Sequence, residues 1–209
     1  MNYRRIPLGP LWTNSYTFWD AQGRAFIVDP GGDPADALTF FQSQGLDLKL
    51  IVLTHGHADH LLGVPELKRR TGAVVAMPRL DEAMAREPGE SLATMLGATQ
   101  EAFVPDQLLS EGDELTCGDF HIKTLHTPGH TPGSSCFLVT LGEEQILVAG
   151  DTLFARSIGR TDLPGGDERA MAQSLKRLKA LEGDMTVLPG HGPETSLTAE
   201  RLHNPFLAD

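Results

Sequence analysis

The chain has 209 residues, of which 40% are hydrophobic and 22% charged, and these ordinary globular values exclude a fibrous or disordered protein. The net charge of −11 disfavours binding to nucleic acids and to anionic membranes, because both are polyanions. The sequence shows no apolar run near the ~20 residues of a membrane span, no secretory signal, and only two cysteines. We therefore expect a cytoplasmic protein that forms a single domain over residues 1–209.

Short strand-like runs alternate with turn signals through the first third of the chain. In chain order, the sequence predicts strands at residues 16–19, 25–28, 50–53 and 73–76, and helices at residues 34–44 and 61–70. Asp33 is the predicted N-cap of the first helix, and Gly45 is its predicted stop. Residues 88–107 combine Pro and Gly with weak periodicity, which is typical of a loop or broken helix that faces a substrate.

The second half of the chain is richer in predicted strands. They flank a turn at residues 117–119 and recur at residues 135–139, 145–149 and 186–188. Helices are predicted after Asp167, which would act as an N-cap, and at residues 197–202. We see neither βαβ regularity nor an internal repeat. This order favours a two-layer sheet core with helices packed outside over a doubly wound sheet.

Residues 54–60 read Thr-His-Gly-His-Ala-Asp-His and directly follow a predicted buried strand. Imidazole and carboxylate groups are the ligands that hold Zn, Fe or Mn. His55 and His57 are two residues apart, so an extended backbone points them to the same side, and Asp59 and His60 add a second pair. Four ligands this close would strain the backbone around one tetrahedral ion, which favours two adjacent metals. The alternatives are a solvent-exposed loop that happens to be rich in histidine or a copy of a purification tag, and the position directly after a buried strand argues against both.

Three further candidate ligands lie in Gly/Pro turns or at strand ends. They are His130 in Pro-Gly-His-Thr-Pro-Gly, Asp151 in Ala-Gly-Asp-Thr, and His191 in Pro-Gly-His-Gly. A glycine precedes each of them, and glycine permits a close backbone approach or a positive φ. Polar residues at strand ends are also where functional sites concentrate on a rigid scaffold.

In combination, these motifs resemble the metallo-β-lactamase superfamily over essentially the whole chain. The resemblance implies an α/β (α+β) fold, a four-layer αββα sandwich with the metals in a groove at one edge. It implies that one metal is held by His55, His57 and His130, that the other is held by Asp59, His60 and His191, and that Asp151 bridges them. Asp29 matches the family's first-motif aspartate and is expected to support the site from behind. The implied cofactors are two divalent ions, zinc first, with iron or manganese as alternatives.

Within the superfamily, the chain most resembles the glyoxalase II group of thioester hydrolases. The loop after Asp151 is similar to that of the shorter bacterial members, and Arg160 matches a basic residue that could pair with a substrate carboxylate. A surface ion pair is the alternative role for Arg160. Only 18 residues follow His191, so we expect the C-terminal helical domain that grips glutathione to be missing. The resemblance implies a small thioester substrate such as S-D-lactoylglutathione, a metal-bridging hydroxide as the nucleophile, and Asp59 as the catalytic residue that orients it.

Four other activities are weighed against this hypothesis. A persulfide dioxygenase would hold a single iron with His55, His130 and Asp151, and it is the nearest alternative. The RNA-processing nucleases of the superfamily share the histidine core, but the charge of −11 makes a poor RNA binder. Antibiotic hydrolysis is disfavoured because His60 directly follows Asp59 and no export signal is present. A non-catalytic metal binder is disfavoured because all seven ligand positions are filled. The sequence does not indicate the oligomeric state.

Overall fold

The structure is a computed structural model that describes residues 1–207. The fold consists of two six-stranded sheets and a two-stranded hairpin, with helices around them. The first sheet comprises β1 (Asn2–Leu8), β2 (Thr13–Trp19), β3 (Arg24–Val28), β4 (Asp47–Val52), β5 (Val74–Pro78) and β6 (Gln107–Leu109). The second comprises β7 (Glu114–Cys117), β8 (Phe120–His126), β9 (Ser135–Leu141), β10 (Glu144–Gly150), β13 (Thr186–Pro189) and β14 (Thr195–Ser196). The hairpin comprises β11 (Leu153–Phe154) and β12 (Ser157–Ile158).

Six α-helices lie outside the sheets. They are α1 (Ala35–Gln44), α2 (Ala58–Leu61), α3 (Val64–Thr71), α4 (Glu82–Arg86), α5 (Glu168–Lys179) and α6 (Leu197–His203) within residues 1–207. Two short 3₁₀ turns at Arg79–Asp81 and Ala93–Leu96 complete the regular structure of this part of the chain. None of the helices in residues 1–207 is long and apolar enough to cross a lipid bilayer.

Three apolar clusters define the four layers. Between the sheets, Phe18 stacks on Phe26 with ring centroids 4.7 Å apart, and Phe120 packs edge-on against both rings. The outer face of the first sheet is covered by residues of α1, α2 and α3, and that of the second sheet by residues of α5 and α6. The predicted αββα sandwich is therefore confirmed, because the two sheets pack face to face and each has helices on its outer face.

The connections of the first sheet differ from the prediction. The pairs β3–β4, β4–β5 and β5–β6 are parallel, and α1 links the first pair while α2 and α3 link the second. The expectation that βαβ regularity is absent was therefore wrong. Parallel neighbours need a crossover of this kind because the chain must return to the same end of the sheet. The ligand-rich segment itself forms part of the second crossover.

The predicted helix over residues 61–70 is divided into α2 and α3 at Gly63. The Gly63 N–H donates to the carbonyl of Pro30 at 2.8 Å, and a Cβ on Gly63 would lie only 2.3 Å from the carbonyl oxygen of Gly32. This close approach ends α2 and requires glycine. The predicted capping of α5 is confirmed, because Asp167 Oδ1 accepts the N–H groups of Arg169 and Ala170 at 2.8 and 3.0 Å.

Candidate metal centre

The seven predicted ligands converge at one edge of the sandwich. His55 and His57 follow β4, and Asp59 and His60 lie on the first turn of α2. The other three come from the second half of the chain, after strands of the second sheet: His130 after β8, Asp151 after β10, and His191 after β13. Six of the seven are buried, and His191 is half-buried. The segments that the sequence singled out are therefore brought together by the fold.

The ligand atoms form three overlapping groups, in each of which all atoms lie within 4.8 Å of one another. The groups are His55–His57–His130, His55–His60–Asp151 and Asp59–His60–His191. Asp151 lies between the first and last groups, with its carboxylate oxygens 3.4 Å from His191 Nε2 and 3.5 Å from the Nε2 atoms of His60 and His130. Asp151 therefore lies between the two predicted ligand sets, and the middle group joins one histidine of each set; the division of the seven residues between two metals stays a prediction.

The chemistry of the converging atoms fits a cation. The Nε2 atoms of His55 and His60 and Oδ1 of Asp151 are buried and make no hydrogen bond within residues 1–207. Buried polar atoms normally have partners because leaving them unpaired costs free energy. Here the unpaired atoms are the imidazole and carboxylate donors that divalent transition metals prefer, and they face one another.

Hydrogen bonds behind the ligands set which ring nitrogen faces the centre. Asp29 Oδ2 lies 2.9 Å from His60 Nδ1 and accepts the Thr54 hydroxyl at 2.6 Å, while Thr54 Oγ1 lies 3.0 Å from His55 Nδ1. Each Nδ1 is thus turned away from the centre, so Nε2 is the ring nitrogen that faces it. Asp29 has a φ of +50°, a strained conformation that its hydrogen bonds hold in place. The structure therefore places Asp29 behind two ligands, as predicted.

The charges of the cluster also favour a cation. Burial lowers the pKa of His55 well below its ordinary value and that of His57 to about 4, so both rings are neutral at pH 7. Burial opposes a charge on His191 as well, but the hydrogen bonds that its ring donates to the carboxylates of Asp151 and Asp59 outweigh burial and raise its pKa to about 9. The carboxylates that raise the pKa of His191 would attract a metal ion in the same way.

Glycine before each of the last three ligands has the predicted role. Gly129 and Gly150 have φ values of +140° and +48°. A Cβ on Gly190 would lie 2.1 Å from Asp151 Oδ1, so the strand end before His191 can approach the Asp151 carboxylate only without a side chain. Asn14 fixes the same turn by donating from Nδ2 to the carbonyls of Pro189 and Gly192, both at 2.9 Å.

Asp81 is a supporting residue that the sequence reasoning missed. Its buried carboxylate accepts the N–H of Gly56 at 2.9 Å, the N–H of Gly133 at 2.7 Å and the hydroxyl of Thr131 at 2.6 Å. It therefore joins the loop of His55 and His57 to the loop of His130. The signal in the sequence is weak, because two of the three partners are backbone groups of glycines that no side-chain pattern reveals.

Arg160 lies at the rim of the site, with its side chain paired. Its guanidinium donates to both carboxylate oxygens of Asp162 at 2.7 and 2.8 Å, and its carbonyl accepts from His130 Nδ1 at 2.8 Å. The backbone of Arg160 thus orients a ligand, while its side chain makes the ion pair that the sequence left as the alternative. A role in binding a substrate carboxylate stays a prediction, and such a carboxylate would have to compete with Asp162.

A cavity of about 540 Å³ opens over the cluster, within the size range of small-molecule sites. His57, Asp59, His130, Asp151 and His191 form its floor. Its walls carry the apolar side chains of Leu11, Leu92, Met95, Leu96, Phe154, Ile158 and Leu163. Residues 92–96 belong to the segment that the sequence predicted to face a substrate, and the structure places them at this cavity.

Replacing Asp29 by asparagine should weaken metal binding by about 10- to 100-fold. The amide loses the negative charge and presents an N–H₂ group towards Thr54 or His60, both of which act as donors in the wild type. Titration of zinc against a chromophoric chelator measures this change. Asp33→Asn, at an exposed aspartate before α1, serves as the matched control and should bind as the wild type does. If the Asp29→Asn protein folds and binds zinc as tightly as the wild type, Asp29 does not support the ligands His60 and His55.

Comparison with known proteins agrees with this geometry. The model of the metallo-beta-lactamase superfamily matches residues 8–191. The probable metallo-hydrolase YqgX of Bacillus subtilis is 36% identical over 209 residues, covering 99% of this chain and 98% of that protein. The hydroxyacylglutathione hydrolase GloC of Haemophilus influenzae is 34% identical over 210 residues, with 99% and 98% covered.

Solved structures show the same fold. The BLEG-1 B3 metallo-beta-lactamase superposes with a TM-score of 0.93 at 35% identity, with both chains fully covered. TTHA1623 in a di-iron-bound form superposes with a TM-score of 0.87 at 38% identity, and the match covers 98% of this chain and 100% of that one. ETHE1 from Myxococcus xanthus superposes with a TM-score of 0.78 at 30% identity, and the match covers 98% of this chain and 84% of that one. The chain therefore belongs to the metallo-beta-lactamase superfamily of metal-dependent hydrolases, whose fold carries a dinuclear metal site.

Proposed function

We propose that this protein is a dinuclear-metal hydrolase of thioesters, with S-D-lactoylglutathione as the reference substrate. The observation that carries the proposal is the presence of two complete ligand groups, His55–His57–His130 and Asp59–His60–His191, on either side of Asp151. A mononuclear site needs only one such group. The 34% identity to GloC over the full chain supports the choice of a thioester among hydrolysable bonds.

In this mechanism most of the seven residues hold the metal ions, and Asp59 also acts on the attacking water. Two divalent ions held by these ligands would supply an activated water and polarise the thioester carbonyl. Asp59 would orient the attacking water and take up its proton, because it lies on the cavity floor with Oδ2 fixed 3.2 Å from both Thr13 Oγ1 and His191 Nε2. Burial opposes the negative charge of Asp59, but His60 and His191 outweigh it and lower its pKa, so the carboxylate is ionised at neutral pH. As oxygen bonds to the acyl carbon, the carbon–sulfur bond breaks and the proton passes to sulfur.

The test is hydrolysis of S-D-lactoylglutathione by the purified full-length protein, chelated and then reloaded separately with zinc, manganese or iron. We expect turnover after reloading and a loss of about a thousandfold in kcat/KM after chelation, since metal catalysis contributes several kcal/mol. His121→Ala, at an exposed histidine on β8, should retain the wild-type rate and is the matched control. Hydrolysis that survives chelation unchanged would refute a metal-dependent mechanism.

A second candidate is an iron enzyme of the persulfide dioxygenase type. The similarity to ETHE1 and the di-iron form of TTHA1623 support it, together with the placement of His55 and His130 around Asp151. Oxygen uptake with glutathione persulfide by the iron-loaded protein, without thioester hydrolysis, would establish this alternative. Because BLEG-1 is described as a B3 metallo-beta-lactamase, a chromogenic cephalosporin completes the substrate set, and we expect it to be a poor substrate.

A further inference from the structure

The cavity over the metal centre has an apolar mouth built from three separate parts of the chain. Leu11 reaches it from the turn before β2, Met95 and Leu92 from the segment after α4, and Phe154 and Leu163 from the hairpin and the loop after it. Leu11 and Met95 are 48% and 70% exposed. Exposed apolar side chains that gather around a cavity mark a surface for an apolar ligand, since packing within the fold does not explain them.

The segment that carries Leu92 and Met95 is held firmly against the metal loop. The Ser91 carbonyl accepts the N–H of Ala58 at 2.9 Å, and Gln100 Nε2 donates to the Met84 carbonyl at 2.8 Å. The side chains of Ser91 and Gln100 are buried and hydrogen-bonded to each other. Leu92 itself has a φ of +66°, which is unfavourable for a residue with a branched side chain. The fold thus holds a leucine at the cavity in a strained conformation.

The cavity offers few cationic partners for a glutathione moiety, which carries two carboxylates and one ammonium group. Apart from histidines, Arg160 is the only basic residue lining the cavity within the described chain, and its guanidinium is already paired with Asp162. The acidic net charge of −11 adds a general repulsion of anions. Apart from the histidines, only Arg160 among the described lining residues could form an ion pair with a substrate, and its charge is already compensated by Asp162. Most of the other lining side chains are apolar.

We propose that the site selects thioesters with an apolar alkyl substituent over glutathione thioesters of small hydroxy acids. This inference rests on the proposed thioesterase function and specifies its substrate class. The alkyl group would lie against Leu92, Met95 and Phe154 while the thioester carbonyl faces the metal ligands. Each methylene that moves from water into this apolar wall should raise kcat/KM by about fourfold until the wall is filled.

The test compares two homologous series on the zinc-loaded, full-length protein. One series is acyl-N-acetylcysteamine with acetyl, butyryl, hexanoyl and octanoyl groups, and the other is acetyl thioesters of alkyl thiols of the same lengths. If kcat/KM rises with chain length in the first series, the apolar group of the substrate lies on the acyl side. If kcat/KM rises in the second series, that group lies on the thiol side. S-D-lactoylglutathione is measured in parallel and should have a lower kcat/KM than the best alkyl thioester.

Substitutions of the apolar side chains that line the cavity test whether these side chains cause the dependence on chain length. Met95→Ser and Leu92→Asn should reduce the ratio of long-chain to short-chain kcat/KM by about tenfold, and asparagine tolerates the positive φ at position 92. Val104→Ser, at an exposed apolar residue that does not line the cavity, is the matched control and should keep the wild-type ratio. The inference is overturned if kcat/KM does not change with chain length in either series, or if it is highest for S-D-lactoylglutathione. Either result leaves the thioesterase proposal intact. Hydrolysis of no thioester at all overturns both.

Discussion

Replacing Asp151 by alanine is expected to lower kcat/KM for thioester hydrolysis by about a thousandfold and to reduce the bound metal below two ions per chain. The carboxylate oxygens lie 3.4 to 3.5 Å from the Nε2 atoms of three histidines, of which His130 belongs to one ligand group and His60 and His191 to the other. Its removal takes away the carboxylate that lies between the two groups, together with a negative charge that would help to balance two cations. Kinetics and elemental analysis of the same sample measure the two effects.

The Asp151 variant needs a control for folding. The thermal unfolding of the chelated protein serves this purpose, because it reports on the fold without the contribution of bound metal. Asp113→Ala, at an exposed aspartate in the turn before β7, is the matched substitution and should retain both the rate and the metal content. An Asp151 variant that keeps more than about a tenth of the activity with two bound metals would rule out a shared bridging ligand.

Replacing Asp81 by alanine is expected to destabilise the protein by about 4 kcal/mol, which corresponds to a fall of about 10 °C in Tm. Three donors lose a buried anionic acceptor at once, and two of them are backbone N–H groups of Gly56 and Gly133. Burial raises the pKa of Asp81, and the hydrogen bonds of Thr131, Gly133 and Gly56 oppose that rise. Differential scanning calorimetry of the chelated protein measures the loss directly.

The effect of Asp81 should extend to metal affinity, since the residue holds the loop of His55 and His57 against that of His130. Asp81→Asn should lose less stability than Asp81→Ala, because its amide oxygen still accepts from one of the donors. Asp47→Ala, at an exposed aspartate at the start of β4, should change Tm by less than about 2 °C. An Asp81→Ala protein as stable as the Asp47 variant would show that the two loops do not depend on this carboxylate.

The convergence of the seven candidate ligands was predictable because each lies in a short motif with its own chemistry. The pattern of His55, His57, Asp59 and His60 is dense in sequence, and glycines mark the turns of the remaining three. A core of two sheets with helices outside was predictable from runs of strands that precede and follow isolated helices, and the resemblance to the superfamily specified the four αββα layers.

Other features depend on contacts that no local pattern encodes. The break of the second crossover at Gly63 arises because the carbonyls of Pro30 and Gly32 lie against it. β1 was missed because it is exposed along much of its length, so the alternation of buried and exposed positions is weak. The role of Asp81 was missed because its partners are mainly backbone groups that lie far away in the chain.

The division of the ligands between the two sheets has a consequence for the newly made protein. During synthesis, the cluster of His55 to His60 leaves the ribosome well before His191, which lies beyond the last long strand of the second sheet. The first half of the chain offers only some of the candidate ligands, whereas Asp151 and the turn held by Asn14 take their places only once both sheets have docked. Tight binding of two metal ions would therefore require the segment that carries His191, and it would stabilise the folded sandwich over shorter intermediates.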